Sequence, residues 1–387
     1  MNAAYTPFRL LKKAARKLTR LAADREIRPL LLPKAGKERE GVRFQQVFPA
    51  ASFHFTGYRS LTGTPDFLPY TVEVPAYKVF CLKNGRFIAG REEVFSRKGR
   101  ILEEITAQKI NPLVGKQLQL KVQKQVHARV LLLGMSGLEN GYYHFIIELM
   151  LRWWIFRQSG LEADYYVFST KTAFQKEALS LLGIREEQML EAEEGSVIQA
   201  DCLICPSLVN NFELAHLRGY ELYNKLYMPT WSNEVYAFLC ERNGISGKEA
   251  GGLIYISRNR SARRIIVNEE ALLPILTRFG FKTYYLEEMN MREQAELFAG
   301  ARMVVAPHGA GLVNLVWSRE GTGVLELYPE FYRDPSYRLL ACSRKLDYQY
   351  LICRSPGAEA AAPIDENIFI DRLDLVAAFL QDRLGNR

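Results

Sequence analysis

The sequence predicts an α/β protein made of two facing Rossmann-like units, with a β-rich portion and a basic amphipathic helix ahead of them. Three observations carry this expectation. Strand-like and helix-like runs alternate from residue 129 and again from residue 253, the pattern of parallel strands joined by crossover helices. A chain of 387 residues is long for one core and ample for two. The stretch 301–326 then reads as strand, breaker-rich turn and apolar helix, with Pro307-His308-Gly309-Ala310-Gly311 at the turn.

Taken in order, the first 23 residues contain no acid, and Arg9, Lys12, Lys13, Arg16, Lys17 and Arg20 interleave with Leu and Ala at helical spacing. Residues 7–23 therefore suit either an anionic membrane surface or plain solvent. No continuous apolar run follows these charges, so the segment does not read as a signal peptide. Nor does any stretch reach the ~18 apolar residues of a membrane span. Residues 1–40 form helix and linker, the latter marked by Pro29 and Pro33.

Residues 41–230 make the first domain. Its portion 43–128 is β-rich, with strands at 77–82, 86–88, 100–104 and 118–122 and a hairpin signal at Asn84-Gly85. From residue 129 it turns α/β: a strand at 130–133, a helix at 142–158, a strand at 165–169, a helix at 172–182 and a strand at 201–206. A helix at 233–242 and a glycine-rich stretch at 243–252 suggest a hinge into the second domain, 231–387. There the series runs strand 253–257, helix 269–279, strand 282–286, helix 291–299, strand 303–306, helix 312–317 and strand 324–327. A last helix at 372–384 could pack on either domain, crossing back if it packs on the first.

Charge narrows the partners. Of the net +8, residues 1–40 supply nearly all, with 11 Lys/Arg against 4 Asp/Glu. The nearly neutral remainder offers no basic face for nucleic acid. Six cysteines are scattered without a secretory signal and read as reduced core residues. Cys202-Leu-Ile-Cys205 has metal or redox spacing, but with no second pair it reads as a buried strand ending at Pro206. There is no P-loop, no G-x-S-x-G elbow, no H-E-x-x-H and no Asp-x-Asp.

Three constellations carry candidate chemistry. Small residues at Gly309, Ala310 and Gly311 let a ligand approach the main chain before a helix start, which suits phosphate. His308 sits beside them. On the nearly all-apolar helix 142–158, His144, Glu148 and Arg152 recur every four residues and share one face. They form either an internal ladder or one wall of a cleft in which a carboxylate orients a proton-accepting imidazole. After the strand at 253–257 comes Ser257-Arg258-Asn259-Arg260-Ser261-Ala262-Arg263-Arg264, four arginines where open α/β sheets bind ligands, fit for a diphosphate. Glu287 and Glu326, near strand ends, could accept from ribose hydroxyls or a base, and the loop 136–141 could contact a substrate hydroxyl.

Together these motifs, from Tyr142-Tyr143-His144-Phe145-Ile146-Ile147-Glu148 through Ile256-Ser257-Arg258, Arg263-Arg264, Asn268-Glu269 and Gln294-Ala295-Glu296-Leu297-Phe298 to Val305-Ala306-Pro307-His308-Gly309-Ala310-Gly311-Leu312-Val313-Asn314, resemble glycosyltransferase family 61. That group includes bacterial capsular and lipopolysaccharide enzymes and eukaryotic xylosyl- and N-acetylglucosaminyltransferases. The resemblance spans about residues 77–330 and is most specific at the Pro-His-Gly-Ala-Gly segment. It implies a GT-B-like fold and an inverting, metal-independent transfer with no cofactor, the nucleotide sugar (a UDP-sugar foremost) being a substrate. It adds Asn314 to the donor side, and Asn140, Tyr143 and Arg152 to the acceptor side. Family members often carry Asn three residues before the helix histidine; here that position is Gly141, and Asn140 lies one further back.

The implied reaction has a donor diphosphate against 308–311 and the arginine loop, and an acceptor hydroxyl deprotonated by Glu148 or His144. The acceptor would be a glycan or lipid-linked glycan of capsule or lipopolysaccharide. The location would be cytoplasmic, peripheral on the inner face of the membrane. A non-catalytic glycan- or nucleotide-binding scaffold of the same fold is the alternative, and a nucleotide-sugar epimerase a further rival.

Overall fold

The computed structural model describes residues 25–385 apart from 27–28, 31, 35, 64–67, 92, 106–116, 119, 136, 210–225, 248–250 and 357–365. The basic helix foreseen in 7–23 lies outside the described residues, as does Ser136. The architecture is mixed α/β, with two large sheets and two small two-stranded ones.

The first large sheet runs Val42–Phe48, Tyr77–Ile88, Val197–Pro206, Lys124–Leu132, Tyr165–Val167, with Val94–Phe95 against the second strand. Each of its first three strands is antiparallel to its neighbour, and its last three are parallel. The β-rich and α/β portions foreseen as successive parts are thus one mixed sheet, because the long strand Tyr77–Ile88 pairs directly with Val197–Pro206. This half is therefore only partly Rossmann-like.

Asn84-Gly85 is not a hairpin turn. Lys83 pairs with Cys202 and Gly85 with Ala200, so the chain continues along one partner in unchanged register. Asn84 sits at φ +51°, a left-handed conformation that Asn tolerates, and a Cβ on Gly85 would come within 2.8 Å of Leu203. The dipeptide lies inside a continuous strand where a turn was expected. The strands expected at 100–104 and 118–122 are likewise replaced, by the 3₁₀ turn Glu103–Ile105 and a short pairing of Gln117–Leu118 with Arg25–Glu26.

The second sheet is all parallel, in the order Lys282–Tyr284, Gly252–Ile256, Ala301–Pro307, Gly323–Tyr328, Asp347–Ile352. In chain order this is 2-1-3-4-5, a doubly wound sheet whose direction of winding reverses between Gly252–Ile256 and Ala301–Pro307. Loops leaving those two strands diverge and open a crevice. Helix Met291–Gly300 between them starts with a capping box: Asn290 accepts from the Glu293 N–H at 2.9 Å, and Glu293 accepts from the Asn290 N–H at 2.8 Å. The segment after Ala301–Pro307 is a 3₁₀ helix, Ala310–Trp317, where an α-helix was expected. The last helix, Leu373–Leu384, packs against Glu269–Arg278 of the same unit.

One apolar core joins the two sheets. It takes in Ile146, Ile147, Leu149 and Trp154 from the first unit and Leu312, Val313, Leu315 and Val316 from the second. Helix Ser232–Asn243 runs between them: the Tyr236 hydroxyl donates to the Ile146 carbonyl at 2.9 Å while its ring meets Trp317 edge-on. The segment foreseen as a hinge is tied down where it is described. Asn243 donates to the Leu181 carbonyl, and the N–H groups of Ser246 and Gly247 donate to Glu296. A large apolar contact of this kind resists relative motion of its two sides.

The helix at the centre, 142–158, is α over Tyr142–His144, π over Phe145–Leu149 and α again over Met150–Gln158. Arg152, expected to meet an acceptor, does not reach any ligand space. It is 1% exposed, and its guanidinium donates to the carbonyls of Leu132, Leu133, Gly134 and Pro206 at 2.5–3.2 Å. These carbonyls end two neighbouring parallel strands, so the cation neutralises a ring of otherwise orphaned acceptors. Arg152→Leu should accordingly lower stability by about 3 kcal/mol or more in urea titrations, since several buried acceptors lose a charged partner together. A loss below about 1 kcal/mol would contradict this role.

Candidate functional site

The crevice at the winding reversal holds a cavity of about 390 Å³, within the range of ligand sites. The second unit contributes Ser257, Arg258, Leu286, Glu287 and Gly309 to Leu312; the first contributes Tyr142, Phe174 and Glu177. Both sheets therefore wall one space. Of the donor-side residues foreseen, Ser257, Arg258, Glu287, Gly309, Ala310 and Gly311 line it.

Arg258 is held as a cation in place. Its Nε and Nη2 donate to the Arg263 carbonyl at 3.2 and 3.0 Å, and burial, then the neighbouring Arg264, holds its guanidinium below the usual arginine range. A partly desolvated cation gains from an anion. Gly309 is what admits it: a Cβ there would sit 2.3 Å from Arg258 Nη1. Arg263 is exposed and acts on Arg258 through its carbonyl. Arg264, at φ +54°, lays its guanidinium over Tyr332 at 5.2 Å. Neither of these two lines the cavity.

Ser257 is organised from below. Its hydroxyl donates to Glu269 at 2.7 Å and accepts from the Asn259 N–H at 3.2 Å, while Tyr255 also donates to Glu269 at 2.6 Å. Glu287 stays exposed and accepts from Ser261 at 2.7 Å.

Three other donor-side expectations need correction. His308 is not at the tip of its turn: it is 3% exposed, and its Nδ1 meets Glu326 Oε1 at 2.5 Å. Glu326 is no rim acid, being fully buried and accepting from the Tyr348 hydroxyl at 2.6 Å as well. His308 is also packed by the rings of Tyr328, Tyr332 and Tyr337 at 5.0–5.2 Å. Asn314, likewise fully buried, accepts from the Tyr142 hydroxyl at 2.9 Å and donates to Gln294 and the Gly311 carbonyl. It locks the two units together beside the cavity.

His144 and Glu148 are not in the cavity lining. The His144 side chain is 40% exposed, and its Nδ1 meets Glu148 Oε1 at 3.1 Å; Glu148 itself is 2% exposed. A chain of rings, His144 to Tyr143 to Tyr337 to His308, connects this pair to the turn that borders the cavity. Asn140 is engaged within its own unit, accepting from Ser169 Oγ at 2.7 Å and Gln175 Nε2 at 3.2 Å.

Several lining residues were not singled out from sequence. Tyr142 and Gln294 stand inside the motif runs, whereas Phe174, Glu177, Met289 and Met291 carry no local signal. Glu177 arrives from the first unit and accepts the Met291 N–H at 2.7 Å, at the start of helix Met291–Gly300. Only tertiary structure reveals that pairing.

The hydrogen bond to Glu148 is the main cause raising His144 above the ordinary histidine range; burial opposes it, and the charges of Glu148 and Asp334 add to the rise. Because the folded value is raised, the ion pair stabilises the fold fully below the unfolded value, and that contribution disappears as pH rises through the folded one. Ring-resonance NMR titration should place His144 above 6.5, and Glu148→Gln should move it down. An unmoved midpoint would show that Glu148 does not set it.

Residues 142–325 match the family model for Glycosyltransferase 61. Among similar proteins, a beta-1,2-xylosyltransferase of Oryza sativa subsp. japonica is 38% identical over 72 residues, 19% of this chain and 13% of that protein. The protein O-linked-mannose beta-1,4-N-acetylglucosaminyltransferase 2 of Mus musculus and that of Homo sapiens are each 32% identical over 127 residues, 30% of this chain and 22% of theirs. The aligned stretch is therefore under a quarter of the length of these relatives.

Proposed function

We propose that this chain is an inverting glycosyltransferase that moves a sugar from a nucleoside-diphosphate donor, a UDP-sugar foremost, to a hydroxyl of a surface glycan such as capsule or lipopolysaccharide. The observation that carries the reading is the cavity at the winding reversal, walled by both units and floored by Arg258 and the Gly309–Gly311 turn, inside the segment that matches Glycosyltransferase 61. In this reading the two sheets form a GT-B-like pair, with the donor mainly in the second unit and the acceptor against the first.

The diphosphate sits against the Arg258 guanidinium and the main chain of 309–311. Negative charge building on the leaving group there meets donors already in place, so neither a metal nor a cofactor is required by the reading. The acceptor lies on the His144 side. Burial of Glu148 favours His144 as the base: with Nδ1–H donating to the carboxylate, Nε2 is the atom left to take a proton. The acceptor hydroxyl gives that proton to Nε2, and its oxygen bonds to the anomeric carbon. The bond from that carbon to the diphosphate breaks on the opposite face, and the nucleoside diphosphate departs.

His144→Ala should cut turnover about 10²–10⁴-fold with nucleotide affinity nearly unchanged. Since the base must be neutral, wild-type activity should rise with pH through the raised His144 value, and residual Glu148→Gln activity should rise at lower pH. Normal turnover in both variants would defeat the assignment. Gly309→Ala displaces Arg258 and should weaken nucleoside-diphosphate binding about 10–100-fold in calorimetry, the equivalent of a charge-assisted hydrogen bond or two. A protein that binds nucleotide but never releases nucleoside diphosphate from any donor, with or without acceptor, would be a binding scaffold instead.

The relatives' names speak of xylosyl and N-acetylglucosaminyl transfer. Those sugars, as UDP donors, head a thermal-shift screen, where a bound donor raises the melting point by mass action. A location on the inner face of the membrane through residues 7–23 belongs to the same proposal. Among the described residues no helix is long and apolar enough to cross a membrane.

A further inference from the structure

The Cys202-Leu-Ile-Cys205 spacing does not bring those two thiols together. Cys205 faces the core that contains Phe80 and Leu203, whereas Cys202 packs against the other, shared core. Cys202 instead lies diagonally across from Cys81 on the adjacent antiparallel strand, where Cys202 is paired with Lys83 and Cys81 with Ile204, so the two thiols are neighbours on one face of the sheet.

Register surrounds this pair with cations. Cys202 is paired with Lys83 on one side and Arg129 on the other, and Cys81 is paired with Arg43 on the next strand. Cross-strand partners share a face, so two thiols lie under three basic side chains. Behind Arg129 stand Asp164 and Glu162, at 3.1 and 3.2 Å. Cys81 is 7% exposed, while Cys202 is half-buried and open to small solutes.

We propose that Cys81 and Cys202 form a redox-active dithiol, which hydrogen peroxide oxidises to a disulfide linking strands Tyr77–Ile88 and Val197–Pro206. Cys202 is the attacking sulfur. Its thiolate breaks the peroxide O–O bond, leaving Cys202 as a sulfenic acid and releasing hydroxide, which takes up a proton as water. The Cys81 sulfur then attacks the sulfenic sulfur; the S–S bond forms, and the oxygen departs as a second water with the Cys81 proton. Two electrons pass from the thiols to the peroxide.

The contrast among the cysteines supports Cys202 as the reactive one. The neighbouring Cys81 thiol, joined by the charges of Arg43 and Arg129 and opposed by burial, brings its thiol down to about 7. Burial pushes Cys205, Cys240 and Cys353 up. Low-valued, partly exposed thiols beside cations are where oxidation concentrates.

The test uses the reduced full chain. At pH 7, iodoacetamide should alkylate Cys202 on the order of tenfold faster than Cys205 or Cys353, following thiolate fraction. Hydrogen peroxide followed by non-reducing peptide mapping should link the Cys81 peptide to that of Cys202, with fragment ions leaving Cys205 unlinked, and dithiothreitol should reverse it. In Cys81→Ser the link should vanish and dimedone should capture Cys202 as sulfenic acid. The wild-type labelling rates keep the test independent of how that variant folds. Alkylation of Cys202 no faster than the buried thiols, a link to Cys205, or no Cys81 link after peroxide would each overturn the proposal.

Discussion

The rest of the structure depends on one requirement: a helix buried along most of its length must place the charged and hydroxyl groups it carries. Residues 142–158 are almost wholly apolar, and both sheets close around them. Tyr142 bonds across to Asn314, Glu148 takes His144, and Arg152 gathers four strand-end carbonyls. The partners of Tyr142 and Arg152 come from distant parts of the chain, so satisfying them fixes how the second unit and the strand ends of the first sit against the helix; Glu148 is met from within it. The same helix thereby sets where an exposed imidazole stands with respect to the crevice.

The π turn at Phe145–Leu149 belongs to this arrangement. An i→i+5 turn fits one more residue into the spiral and disturbs the normal carbonyl pairing. Tyr236 supplies a hydroxyl to the Ile146 carbonyl within that turn. The irregular stretch spans the positions between His144 and Arg152, so the residue whose side chain opens outward and the residue that anchors strand ends sit on either side of it. Helix and sheet geometry thus meet at the point where the chemistry is proposed.

Much of the second unit was legible in the sequence because its strands are short apolar runs set between helical runs and breakers. Pro307-His308-Gly309 is such a breaker. The first unit was harder to read. Asn84-Gly85 has the composition of a turn, yet it lies inside one strand, because pairing with residues distant in sequence outweighs local propensity. For the site, Ser257-Arg258 of the arginine loop and the glycine turn were legible in sequence, and both line the cavity. The fate of individual side chains was not: Arg152, His308, Glu326 and Asn314 look equally available in sequence, and only burial separates scaffold from surface. Glu177 and Phe174 are invisible for the opposite reason, since the wall they form exists only once the two units pack.

The backbone of Ser60 and Leu61 lies alongside Tyr350, with the Leu61 N–H donating to the Tyr350 carbonyl at 2.8 Å. Strand Asp347–Ile352 is the margin of the parallel sheet, and such a margin is a template for unwanted association unless something covers it. Here the cover comes from nearly three hundred residues earlier in the chain. A fragment trimmed to the family-matching portion would lose both that margin and its cover, along with strands Val42–Phe48 and Tyr77–Ile88, which the central helix packs on, and Lys124–Leu132, whose end Arg152 holds. It would display raw ladder groups and apolar surface together, the combination that drives chains to clump. The portion most shared with other proteins is therefore not a unit that stands alone.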